Sequence, residues 1–187
     1  MDWRNANALV TGGASFIGSH LVDALIALGA RVRVVDNLSS GKLDHIRPHV
    51  DAGRVEFTHA DLNDPLVADQ AVRGMNVVFH LAADHGGRGY VDLHQVACAT
   101  NLVLDGLVFK ACSKASVDKV VYASSGCVYP NHLQTDPGQV LYLTENMTRW
   151  SGTAWKGTRF GATRRSGVAA SARKYGLAWR FGESRRN

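Results

Sequence analysis

The run Thr11-Gly12-Gly13-Ala14-Ser15-Phe16-Ile17-Gly18 places three glycines where a short apolar segment gives way to residues at helical spacing. The backbone N–H groups of such a loop, with the amino end of a helix behind them, favour a diphosphate. Glycine there lets backbone approach a ligand or a neighbouring strand with no Cβ in the way. Alone, the loop reads equally well as an ordinary strand-to-helix turn. Asp36 shifts the balance, because it closes the β-branched segment that follows, at a fixed distance from Gly18. A carboxylate there accepts hydrogen bonds from the adenosine ribose hydroxyls and repels a 2′-phosphate. Loop and acid together predict NAD as the cofactor; the acid alone would be a solvated strand end. Cys98, Cys112 and Cys127 are odd in number and lack CxxC spacing, and the eight histidines form no HExxH pair. A disulfide framework and a metal site are therefore not expected, and a reducing compartment is.

These residues need a scaffold that gathers strand ends, and the hydrophobic pattern supplies one. Ala6 to Thr11 reads as a strand leading into the glycine loop. Phe16 to Leu28 reads as a helix, with Ile17, Leu21, Ala24, Leu25 and Leu28 at helical spacing and Gly29 as its C-terminal cap. Arg31 to Val35 and Val55 to His59 read as strands, Asp64 to Val72 as a short helix, and Asn76 to Leu81 as a mostly apolar strand. Val91 to Ala115 reads as one long helix and Lys119 to Ser124 as a fifth strand. Near-continuous apolar strands fit a parallel sheet covered on both faces. Their alternation with helices predicts an α/β architecture, the doubly wound parallel sheet of the Rossmann fold. Past Glu145 the pattern decays, with a helix expected over Ser166 to Tyr175 and a sixth strand over Leu177 to Phe181.

Composition narrows the class. With 187 residues, 45% of them hydrophobic, the chain can bury a full core without staples. No apolar run approaches the roughly 20 residues that span a bilayer, and no secretion signal opens the chain, so a cytoplasmic protein with no membrane partner is expected. The formal net charge of +5 is uneven. Residues 149–187 carry ten Lys or Arg against Glu183 alone, whereas residues 1–148 carry eleven basic and fifteen acidic residues. The expected division is an NAD-binding domain over 1–148 and a basic, atypical segment over 149–187. Trp150, Trp155 and Trp179 stand among those cations, but no recognised nucleic-acid-binding module surrounds them, so nucleic acid is not expected as a partner.

The motifs together resemble the extended short-chain dehydrogenase/reductase family, in its NAD-dependent nucleotide-sugar epimerase/dehydratase branch. Besides the glycine loop, the matching pieces are Asp36-Asn37-Leu38-Ser39-Ser40-Gly41, Asp61-Leu62, His80-Leu81-Ala82-Ala83, Asn101, and Tyr122-Ala123-Ser124-Ser125-Gly126-Cys127-Val128-Tyr129-Pro130. The resemblance implies a cofactor site of Gly12, Ala14, Ser15, Phe16, Ile17, Gly18, Asp36, Asn37, Ser39, Asp61, Leu62, Leu81, Ala82, Ala83 and Asn101. In it Phe16 and Ile17 cover the pyrophosphate, Asp61 and Leu62 flank the adenine, and Leu81 to Ala83 pass beside the cofactor. The segment Asp84-His85-Gly86-Gly87-Arg88-Gly89-Tyr90, taken with Ser125 to Pro130, is most similar to the GDP-mannose 3,5-epimerase group. That similarity implies a GDP-mannose-like nucleotide-sugar substrate, contacted by Gly86, Gly87, Ser124 and Ser125. It implies catalytic roles for Ser125, on the reacting hydroxyl, and Cys127, as an acid/base group. The implied reaction is transient oxidation at the sugar C4, proton exchange at the acidified neighbouring carbons, and return of the hydride. A thiol whose pKa is about 8.5 suits such an exchange. A homodimer through helices such as Val91 to Ala115 is implied likewise.

Each of these residues also has a plainer reading. Cys127 would serve as a small packed hydrophobe, and Cys98 and Cys112 as core. Ser124 and Ser125 would bond their local backbone, Asn101 would cap a helix kink, and Asp64 beside Asp61 would cap a helix. The chain also departs from the family. Ser15 stands where the family has glycine, which predicts weakened cofactor binding. The family's Tyr-x-x-x-Lys base is absent from all 187 residues. With the basic shift after Arg149, that absence predicts a frame-shifted or damaged reading of an ancestral gene, with the family's C-terminal substrate domain missing. The alternative to an epimerase is then a non-catalytic NAD-binding protein.

Overall fold

Five apolar segments pair edge to edge. The computed structural model describes residues 2–86, 88–123, 170–173 and 176–179. After a 3₁₀ turn at Trp3–Asn5 come β1 (Asn7–Thr11), α1 (Phe16–Ala27) and β2 (Arg31–Asp36). A second 3₁₀ turn, Leu43–His45, precedes α2 (Arg47–Asp51), β3 (Val55–His59), α3 (Pro65–Ala71) and β4 (Val77–His80). Then follow α4 (Arg88–Leu93), α5 (Gln95–Ala99), α6 (Asn101–Lys114) and β5 (Lys119–Tyr122), and later β6 (Ala170–Arg173) and β7 (Gly176–Trp179). The chain divides into two compact units, Met1–Val121 and Tyr122–Asn187.

In the first unit the strand order is β3-β2-β1-β4-β5. β1 runs parallel to β2, with Val10 opposite Val34, and parallel to β4, with Val10 opposite Phe79; β2 runs parallel to β3. The chain therefore builds outward in one direction from β1 and then returns to build in the other. The carboxyl ends of β1 and β4 frame the switch point, where open α/β sheets bind their ligands.

Alternation along the strands makes two cores. Leu9, Val35, Val78 and Val120 face one layer with Leu104, Val108 and Cys112 of α6. Ala8, Val10, Val32, Val34 and Val77 face the other with Val22 and Leu25 of α1 and with Ile46. Both faces of the sheet are thus covered, which is why these strands read as continuous apolar runs. Gly29, at φ +86°, ends α1 as expected: its N–H reaches Ile26 O at 2.9 Å, and the next N–H, of Ala30, reaches Leu25 O at 3.0 Å. That pair of bonds is the Schellman arrangement. Asp64 caps α3, its carboxylate accepting from Leu66 N at 2.8 Å. Arg33 ties the end of α3 to β2 by donating to the Ala71 and Arg73 carbonyls.

Three expectations need correction, and one helix was not anticipated. The long helix over Val91 to Ala115 is three helices, because His94 leaves helical geometry (φ −125°, ψ 41°) and Thr100 turns its hydroxyl back onto Ala97 O. Such back-bonding competes with the helical ladder. The short α2 has no counterpart in the periodicity reading, although Pro48 in its first turn is a recognisable start signal. The helix expected over Ser166 to Tyr175 is overturned at Ala170–Arg173, which is a strand paired antiparallel with Gly176–Trp179. There the period-two order Ala-Ser-Ala-Arg served an edge-to-edge pairing that lone helix propensity does not report. Finally, the run Gln95–Lys114, α5 and α6 taken together, is long and apolar enough to cross a membrane by length and composition alone, contrary to the expectation that no run approaches that length, although core helices pass the same test. Leu104, Val108, Ala111 and Cys112 on it are packed into the core.

Candidate cofactor site

The glycine loop turns at the carboxyl end of β1. Gly12 sits at φ +69°, and a Cβ on it would stand 3.0 Å from the Ala82 nitrogen. A Cβ on Gly18 would run into the Gly12 carbonyl. Glycine at both places lets the loop close against the end of β4 and under the first turn of α1. Ser15 is the residue before α1, yet its side chain does not cap the helix. Its hydroxyl donates to Gly12 O at 2.6 Å and braces the loop. The first-turn N–H groups of α1 are left without a side-chain cap, and no acidic residue occupies that turn, so the positive end of the helix suits an anion.

Asp36 is 7% exposed and its two oxygens are both engaged. Oδ2 accepts from Ala14 N at 2.9 Å, and Oδ1 from Leu38 N at 2.8 Å, where Leu38 takes φ +57°. Each oxygen retains acceptor capacity, and Asp36 lines the cleft, so the residue braces the loop and can still receive a hydroxyl. Ala14 is held on its other side as well, its carbonyl accepting from Lys42 N at 3.0 Å and standing 2.8 Å from His45 Nδ1. Asn37 Oδ1 accepts from Ser39 N, and Asp61 Oδ1 accepts from Asn63 N, two short turns that shape the far wall.

The opposite wall follows β4. Thr11 Oγ1 accepts N–H groups from Leu81 and Ala82, both at 3.1 Å. Asn101, the first residue of α6, grips the Asp84 backbone at both ends: Oδ1 accepts from Asp84 N at 2.7 Å and Nδ2 donates to Asp84 O at 2.8 Å. Tyr90 donates its hydroxyl to Asp84 Oδ1 at 2.7 Å and stacks on His94, ring centroids 4.2 Å apart. The bond to Asp84 holds the Tyr90 phenol above its ordinary pKa of 10.0, with burial and the carboxylate's charge adding to the effect.

One cleft of about 430 Å³ gathers Gly12, Ser15, Asp36, Asn37, Ser39, Asp61, Leu62, Leu81, Ala82, Ala83 and Asn101. Four residues expected at the cofactor do not form its wall. Ala14 and Gly18 are buried behind it, and Phe16 and Ile17 stand 75% and 70% exposed at the amino end of α1. Gly86 packs against Tyr90, leaving no room for a Cβ, and is not part of the lining. Gly87, Ser124, Ser125 and Cys127 lie outside the described residues. Asp84, His85, Tyr90 and Thr100 line the cleft without having been anticipated in any role. Asp84 and His85 carried a signal, since they directly follow a strand end at the switch point. Tyr90 ends the segment Asp84 to Tyr90, but nothing in that pattern marks its hydroxyl for Asp84. Among the described residues no group of His, Cys, Asp and Glu could hold a metal ion.

A doubly wound sheet with an anion-seeking loop, a strand-end carboxylate and a cleft between them defines a dinucleotide-binding protein. Residues 8–150 match the family model of the NAD dependent epimerase/dehydratase family, and the chain belongs to that family. It is 37% identical over 132 residues to a putative UDP-glucose 4-epimerase of Methanocaldococcus jannaschii, a match over 68% of this chain and 42% of that protein. A UDP-N-acetylglucosamine 4-epimerase of Methanobrevibacter ruminantium, solved with UDP-N-acetylmuramic acid, matches at TM-score 0.61 and 34% identity, over 73% of this chain and 42% of that one. The UDP-glucose 4-epimerase of Thermus thermophilus, solved with NAD, matches at TM-score 0.57 and 36% identity, over 64% and 38%. The chain thus spans about two fifths of the length of these relatives. Their names are those of UDP-sugar enzymes, so they support the family and not the GDP-mannose 3,5-epimerase group.

Proposed function

We infer that this chain is the NAD-binding part of a nucleotide-sugar epimerase. The observation that carries the reading is the cleft at the switch point, with the uncapped amino end of α1 on one side and the Asp36 carboxylate on the other. The loop from Gly12 to Ser15 and the first turn of α1, with Phe16 and Ile17, would take the diphosphate. Asp36 would take the adenosine ribose, Asp61 and Leu62 the adenine, and Leu81 to Ala83 with Asn101 the nicotinamide end. When bound, NAD supplies a hydride acceptor for the sugar C4. The relatives favour a UDP-sugar as substrate. GDP-mannose is the second reading, supported by the segments Asp84 to Tyr90 and Ser125 to Pro130, with Ser125 and Cys127 catalytic and Gly86, Gly87 and Ser124 at the sugar. Leu93, Val96, Leu102 and Val103 leave an exposed apolar surface across α4 to α6, which this reading assigns to a homodimer. Among the described residues, Cys98 and Cys112 are free thiols.

Calorimetry with NAD and NADP tests the cofactor, and turnover with UDP-glucose and GDP-mannose tests the chemistry. Heat with NAD and less with NADP is expected; no heat with NAD overturns the reading. Because Tyr-x-x-x-Lys is absent, binding with little turnover is expected of the 187-residue chain. Brisk hydride transfer would show that another group takes the place of that tyrosine.

A further inference from the structure

His80 ends β4 directly before the segment that lines the cleft, and it is 1% exposed. Its ring joins two other elements. Nδ1 lies 2.7 Å from Thr11 Oγ1 at the end of β1, and Nε2 lies 3.0 Å from Asp105 Oδ1 on α6. The direction of these bonds follows from the capacity of the hydroxyl. Thr11 Oγ1 already accepts from Leu81 and Ala82, which uses both its lone pairs, so its single proton goes to His80 Nδ1. The imidazole then carries its proton on Nε2 and donates it to the Asp105 carboxylate. Phe109, also on α6, packs edge-on against the ring at 5.8 Å and 82°.

We propose that Thr11, His80 and Asp105 form a hydrogen-bonded relay through which α6 sets the Leu81–Ala82 backbone, with His80 as its positioning residue. The relay orients the threonine hydroxyl: without the imidazole acceptor, the hydroxyl has no fixed reason to turn its lone pairs toward the two amides. Leu81 N–H has a second, longer bond to Thr11 O at 3.3 Å, so Ala82 N–H depends most on the hydroxyl. Ala82 is also where the glycine loop presses closest, since a Cβ on Gly12 would stand 3.0 Å from its nitrogen. A small displacement of Ala82 therefore alters both walls of the cleft. The direction of that benefit, toward a bound dinucleotide, rests on the cofactor reading; the relay itself does not.

The test uses the full chain labelled with ¹⁵N. Ring shifts of His80 in the ligand-free protein should report a bare Nδ1 and a protonated Nε2, and the Ala82 amide should exchange slowly. Thr11→Val should speed Ala82 exchange and weaken NAD about tenfold, the scale of one buried donor left unpaired. Thr11→Ser should restore both. Asp105→Asn, which keeps an acceptor opposite His80 Nε2, should fold and shift the His80 ring signals. It covers the case in which Thr11→Val does not fold. A proton on Nδ1, or variants that lower the melting temperature while Ala82 exchange and NAD affinity stay unchanged, would overturn the relay. If the unsubstituted protein gives no heat with NAD while the ring shifts and exchange come out as expected, the relay stands and the cofactor reading falls.

Discussion

Asp36 spends one carboxylate on two tasks. Its oxygens brace Ala14 N and Leu38 N, and in the proposed reading the same carboxylate takes the adenosine ribose. Asp36→Asn puts an amide N–H against one of those two backbone donors, so NAD should bind about tenfold more weakly and discrimination against NADP should narrow. Calorimetry with both dinucleotides measures this; a variant that keeps wild-type affinity and selectivity would remove Asp36 from the site. Cys112 shows the opposite use of a polar atom. Burial in the core of α6 pushes its thiol from 9.0 up to about 12. The folded state therefore holds that proton more tightly than the unfolded chain. The resulting stability is whole below about 9.0 and is lost as pH rises toward about 12. Peptide mapping after alkylation at about pH 8 should find Cys98, which is half-buried, labelled first, and Cys112 labelled only on unfolding.

The elements after β4 depart furthest from the pattern of the sequence. Apolar spacing predicts one helix, but His94 and Thr100 interrupt it, and the break frees Asn101 to clamp Asp84. Local side-chain bonding of this kind leaves little mark on hydrophobic periodicity. The same stretch carries Val96, 82% exposed, and Leu102, 78% exposed, beside residues that face the core. If that surface joins two copies, Val96→Glu with Leu102→Glu should yield a monomer by sedimentation. Stability should change by no more than about 0.5 kcal/mol, because both side chains are largely exposed. A wild-type protein that already sediments as a monomer at the same concentration would dismiss the contact.

For the whole molecule, a ligand that binds only the folded state must raise stability. NAD at a hundred times its dissociation constant should add about 2.7 kcal/mol, which for a unit the size of Met1–Val121 raises the melting temperature by about 10 °C. NADP at the same concentration should raise it less, and equal shifts would argue against a carboxylate at the ribose. The amino-acid sequence by itself determined the alternating elements, the glycine loop and the strand-end acid. Strand period, helix period, glycine tolerance and a carboxylate at a strand end all act along a few neighbouring residues. The structure alone decided that Ser15 braces its own loop and that Thr11 meets His80 across 69 positions. It also decided that Asp105 closes that chain from α6 and that Tyr90 folds back onto Asp84. Those partners are chosen by which strand ends lie side by side in the sheet and which helix covers them, and a hydrogen bond exists only where packing brings donor and acceptor within reach.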